Sequence, residues 1–130
     1  VVDRWLGPRP VIPQETCVLI ACSTADEAHY LCALLNCSIV GFLATAQSVR
    51  GGKGFGSPGM IESLRLKRYS SSHTVHCELA RLSRQAHAAA GDGADSTDVE
   101  ERIDRAEAEL WNLGQSDLDI MRQEIAAGSY

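Results

Sequence analysis

The chain has 130 residues, a mass of 14.0 kDa, 45% hydrophobic and 22% charged residues, and a formal net charge of -5. That is the size of one ordinary globular domain, which removes roughly two-thirds of its unfolded surface from water and needs no disulfides to do so. No run reaches the roughly 18 apolar residues of a membrane span, and no basic start precedes an apolar stretch, so neither a span nor a signal peptide is expected.

The first element expected is a strand over residues 16–22 (TCVLIAC), apolar and β-branched without polar alternation, as in a central strand covered on both faces. Ser23 and Thr24 follow, and Thr24-x-x-Glu27 has the spacing of a capping box, which predicts a helix from about Ala25. Tyr30, Leu31, Leu34 and Leu35 form its apolar stripe, and Asn36 is placed to end it in the left-handed conformation. A second helix, capped by Ser38, is expected to run to about Gln47, with Ile39, Val40, Phe42 and Leu43 as its apolar surface.

Residues 49–59 hold Gly51, Gly52, Gly54, Gly56, Gly59 and Pro58 and are expected to form a mobile loop. The loop is not a nucleotide-binding motif, because Gly54 follows Lys53 where Ser or Thr is needed for magnesium. Arg50 and Lys53 on glycine-rich backbone suit a polyanion better. Leu64 and Leu66 alternate with Arg65 and Lys67, the pattern of a strand with a basic outer face.

A helix over about 73–90 is expected to bury Val75, Leu79, Leu82 and Ala86 while Arg81, Arg84 and Gln85 face solvent. Residues 91–95 read as a linker. Thr97-x-x-Glu100 repeats the capping-box spacing ahead of a charged helix striped by Val99, Ile103, Ala106, Leu110 and Leu113, and Gly114 stops it. A last helix from Ser116 to about Ala127 carries Leu118, Met121 and Ile125 inward, and the acids of this hairpin are expected in solvent.

Charge is divided sharply along this order. Residues 48–87 hold seven bases and two acids, whereas residues 91–130 hold eleven acids and three bases. A basic middle in an acidic chain points to a localised surface for an anionic partner. The five cysteines are an odd number in a chain with its own core, which implies reduced thiols and a cytoplasmic setting. Cys17 and Cys22 would point to opposite faces of a strand, and neither repeat of the Cys-x4-Cys spacing holds one ion unaided. His73 and Cys77 stand at the i, i+4 spacing of a ligand pair, with His76 beside them, but no further ligands are evident.

Four segments carry a family resemblance: VIP at 11–13, VLIAC at 18–22, DEAHYLCALLNCSIV at 26–40 and LARLSRQAH at 79–87. Together, and in this order, they resemble the C-terminal specificity region of bacterial N6-adenine DNA methyltransferases, the Taq-type and related single-chain restriction-modification enzymes. Cys37 stands where the family usually has serine, and LKRY at 66–69 where relatives often have an isoleucine-proline segment. The sequence has no Asn/Asp-Pro-Pro-Tyr motif to hold a flipped adenine and no site for S-adenosylmethionine, so the resemblance implies that catalysis and cofactor belong to an N-terminal part of the parent. The chain itself is expected to hold no catalytic, cofactor-binding or metal-binding residue. It also begins at Val1 without methionine, in keeping with a piece of a larger protein.

The fold expected is α+β: a small sheet packed with helices over 1–90, a target-recognition-like domain, followed by an acidic helical hairpin over 91–130. The function expected is recognition of double-stranded DNA, with Arg50, Lys53, Arg65, Lys67 and Arg68 meeting phosphates. A protein-interaction or scaffolding module is the alternative. A free-standing thiol or zinc enzyme using His73, His76 and Cys77 is a third reading.

Overall fold

Six helices account for nearly all the regular structure in the computed structural model, which describes residues 2–3, 7–8, 19–48 and 58–127. In chain order these are α1 (Ala25–Asn36), α2 (Ser38–Ser48), α3 (Pro58–Ser63), α4 (Thr74–Gly91), α5 (Thr97–Trp111) and α6 (Gln115–Ala127). Two two-residue strands, β1 (Val2–Asp3) and β2 (Gly7–Pro8), pair antiparallel with each other. No sheet packs against the helices among the described residues, so the expected α+β fold is replaced by an all-helical one.

Both strands expected near the core fail for local reasons. Residues 19–22 have no ladder partner, and Leu19 is 68% exposed, so the apolar run lies outside the core; residues 16–18 lie outside the described residues. Residues 64–67 do alternate in burial, Leu64 and Leu66 inward and Arg65 and Lys67 outward. The alternation comes from a turn. The amides of Leu64 and Arg65 donate back to the carbonyls of Ile61 and Glu62, closing α3, and Arg65 takes a left-handed φ of 48°.

The start of α1 follows the expected chemistry. Thr24 Oγ1 accepts from the Glu27 amide at 3.1 Å, and the Glu27 carboxylate reaches back to the Ser23 amide at 2.6 Å. Its end differs. Asn36 stays helical, its side-chain amide donating to the Cys32 carbonyl at 2.8 Å, and the corner is made by Cys37 in extended conformation. The Cys37 thiol donates to the Leu34 carbonyl at 3.1 Å and accepts from the Val40 amide at 3.3 Å. Sulfur thus takes the capping role at the start of α2 that Ser38 was expected to fill.

Two other helix boundaries are also set by residues other than those expected. Asp95, not Thr97 with Glu100, opens α5, accepting from the Thr97 amide at 2.9 Å and the Thr97 hydroxyl at 2.6 Å. These bonds hold the Asp95 carboxyl below the ordinary aspartate value. Asn112, at φ 54°, ends α5 two residues before Gly114, and the Leu113 amide returns to the Ala108 carbonyl at 2.9 Å.

α1 packs chiefly on α4, α4 on α5, and α2 on α6. Tyr30, Leu34, Val40, Leu79, Leu82 and Leu118 are fully buried in one cluster drawn from α1, α2, α4 and α6, which Ile103 and Leu110 of α5 join. Each large apolar side chain so placed contributes about 2–3 kcal/mol relative to exposure. Val75, Val99, Ala106, Leu113 and Met121 pack at its edge as partly buried residues, whereas Ile125, expected to point inward, is 38% exposed. Among the described residues no single helix is long and apolar enough to cross a membrane.

Candidate functional site

Of the five residues expected to meet DNA, Arg50 and Lys53 lie outside the described residues. Arg65, Lys67 and Arg68 stand exposed on the segment between α3 and α4. Lys67 is engaged: its ammonium donates to the Leu110 carbonyl at 2.6 Å, a cation at the C-terminal end of α5, where the helix dipole favours it. Its own carbonyl accepts from the Tyr30 hydroxyl at 2.9 Å, which ties this segment to the core. Burial pushes the Tyr30 phenol up to about 12.

The other bases of the described residues are largely neutralised. Arg81 forms a two-pronged pair with Glu78, Arg84 meets Asp26 of α1, Arg102 reaches Glu78 and Asp98, and Arg105 pairs with Glu101. The Arg81 bond holds the Glu78 carboxyl below its usual value. Arg65 and Arg68 enter no ion pair among the described residues. The positive surface foreseen over 48–87 therefore narrows, within the described residues, to the segment 65–68.

A second feature is a groove of about 740 Å³ between α1, α4 and α5, lined also by Arg122 of α6. On its α1–α4 wall the Cys32 sulfur lies 3.4 Å from His87 Nε2, and the Asn36 side-chain amide donates to the same sulfur at 3.5 Å. The His87 ring meets His29 edge-on at a centroid separation of 5.3 Å, and His29 Nδ1 is hydrogen-bonded to the Ser83 hydroxyl at 3.2 Å. Burial first, then the charge of Arg84, keeps His29 below the ordinary imidazole value. Helical spacing explains the arrangement: His29 and Cys32 share a face of α1, and Ser83 and His87 share the facing stripe of α4.

The floor of the groove is ionic. Asp104 is 5% exposed and accepts from the Ser38 amide at 2.8 Å, the Ser38 hydroxyl, and Arg122 at 3.0 and 2.7 Å. One carboxylate thus joins the α1–α2 corner to α5 and α6. One turn further along α5, Glu107 is fully buried, with one oxygen accepting from Trp111 Nε1 at 3.1 Å and the other unpartnered. Burial pushes its carboxyl up to about 7, and the nearby Asp104 charge pushes the same way. These two acids, expected in solvent, are instead interior groups.

His73, His76 and Cys77 do not converge. His73 and His76 stack at 4.1 Å, and His76 turns into the core against Tyr30, its Nδ1 accepting from the Ser70 amide at 3.0 Å. Burial, with the charges of His73 and Lys67, holds it below the ordinary imidazole value. Cys77 points outward and donates to the Ser71 carbonyl at 3.3 Å. Among the described residues no three His, Cys, Asp or Glu side chains come together as metal ligands.

No protein-family model matches this chain, and neither does any curated protein or solved structure compared with it.

Proposed function

We propose that the chain serves duplex DNA recognition beside the catalytic part of an adenine methyltransferase, as its sequence resemblance implies. Double-stranded DNA and that N-terminal part are its partners, and S-adenosylmethionine belongs to the partner part. The observation that carries the reading is the segment 65–68, where Arg65 and Arg68 project without carboxylate partners among the described residues while the other arginines there are paired. An unpaired guanidinium is free to displace counterions from a phosphate backbone; a paired one must first give up its carboxylate. Arg50 and Lys53, earlier in the sequence, are two further bases. The resemblance supports the reading further in that its two longest segments, 26–40 and 79–87, fall in α1, α2 and α4.

Fluorescence anisotropy of a labelled duplex over a low-salt series tests it. The chain alone is expected to bind at roughly 10–100 μM near physiological salt, and Arg65→Ala with Arg68→Ala to lower affinity for all sequences and flatten the salt slope by up to about two. Arg81→Ala with Arg84→Ala should change the slope much less. Absence of binding at low salt, or a slope indifferent to Arg65 and Arg68, refutes the proposal and favours the interaction module, whose docking would use apolar side chains such as Leu19 and Ile120, 68% and 58% exposed.

A further inference from the structure

The groove between α1, α4 and α5 holds a sulfur and an imidazole in contact, and the DNA reading makes no use of either. Cys32 Sγ has two polar side-chain neighbours: His87 Nε2 of α4 at 3.4 Å, able to take its proton, and the Asn36 amide of its own helix at 3.5 Å, able to donate to the sulfur once it is charged. The pair is only partly covered, so a small molecule in the groove can reach the sulfur. Acyl transfer is a poor fit. Cys32 is in the interior of α1, where backbone amides are spent on the helix, so no pair of N–H groups is free to hold an oxyanion. Attack on a disulfide needs no such hole; it needs a thiolate, an in-line path and a place for the leaving thiolate's proton.

We propose that Cys32 is a site of thiol–disulfide exchange with small cationic disulfides. His87 takes the Cys32 proton, and the thiolate attacks one sulfur of the incoming disulfide. The S–S bond of the reagent breaks as the new one to Cys32 forms. The departing thiolate takes the proton back from the His87 imidazolium, leaving a mixed disulfide on Cys32 and one free small thiol. The preference for a cation follows from the lining: of the acids on the groove, Asp104 is engaged by Arg122 and Glu101 by Arg105, while Glu100 enters no ion pair among the described residues and leaves the groove a negative charge.

Cys77 is an internal reference, since it is more exposed than Cys32 but donates to a carbonyl. The reduced full chain is treated with substoichiometric cystamine near neutral pH, quenched with acid, and mapped by peptide mass spectrometry. Cys32 is expected to be modified at least about fivefold faster than Cys77, and His87→Gln to remove that advantage while leaving the Cys77 rate unchanged. Neutral hydroxyethyl disulfide should discriminate less between the two sulfurs than cystamine. A Cys32 rate equal to or below that of Cys77, or one unmoved by His87→Gln, overturns the proposal. Equal discrimination by both reagents overturns the cationic preference.

Discussion

Glu107 is the place where a single atom change reports on the interior. Its carboxyl, fully buried beside Cys37 and Trp111, is pushed up to about 7 from an ordinary value of 4.5, by burial above all and by the Asp104 charge, against the opposing hydrogen bond from Trp111 Nε1. In the unfolded chain the same group loses its proton near 4.5. Between the two values the folded state binds the extra proton, so stability falls as pH rises. The neutral acid's contribution is complete below about 4.5 and lost as pH passes about 7, a span worth roughly 3 kcal/mol. His29 and His76, both held below the ordinary imidazole value, act with the opposite sign, since burial penalises their charged forms as pH falls below about 6.5. The parent's curve alone therefore mixes the two effects. Glu107→Gln separates them, because it keeps an oxygen for Trp111 Nε1 and cannot ionise. Urea unfolding of both proteins at several pH values between about 4.5 and 8 should show the variant gaining on the parent as pH rises, by up to about 3 kcal/mol, equivalent to roughly 10 °C in Tm. Parallel curves, with a difference constant to about 0.5 kcal/mol, would show that Glu107 does not titrate as a buried acid.

Asp104→Ala should cost about 3–5 kcal/mol, since it orphans both the partly buried Ser38 amide and Arg122, whereas Arg122→Ala should cost less because Ser38 still satisfies the carboxylate; chemical denaturation compares them. In Asp104→Asn the midpoint of Glu107 should move down, read from the same pH series, because the charge that disfavours its ionisation is gone. Tyr30→Phe should cost about 1–2 kcal/mol by leaving the Lys67 carbonyl without its hydroxyl donor, and a loss below about 0.3 kcal/mol would show that water replaces it.

Helices were readable because their signal is periodic and local. The stripe of α4, the capping pair Thr24 and Glu27, and the break between α1 and α2 all depend on residues within four positions of one another. A strand is different, since its stability comes from a partner elsewhere in the chain. Residues 19–22 have the composition of a buried strand, yet no described neighbour offers a ladder, and the helices have already covered one another's apolar faces. Asn36 and Asn112 make the same point on a smaller scale. Both are able to turn left-handed, and only the one whose chain must reverse from α5 into α6 does so. The buried acids left a trace in the sequence. Glu107 sits four residues after Ile103 and three before Leu110, on the apolar stripe itself, and its position outweighs its charge because Trp111 at i+4 supplies a donor.

The candidate DNA surface shows why counting charges along a chain overstates it. Seven bases against two acids over 48–87 describe a ribbon, but folding brings other ribbons alongside. Asp26 of α1 comes to Arg84, and Glu78 of α4 is shared between Arg81 on its own helix and Arg102 on α5. Exposed pairs of this kind contribute little to stability, but they matter for binding, because each ties up a cation that an incoming phosphate would have to recruit. Lys67 is drawn down to the end of α5, while Arg65, at its left-handed turn, and Arg68 on either side of it enter no ion pair among the described residues. Within the described residues the two free guanidinium groups are thus products of chain geometry, and a count of phosphate contacts there should begin from two.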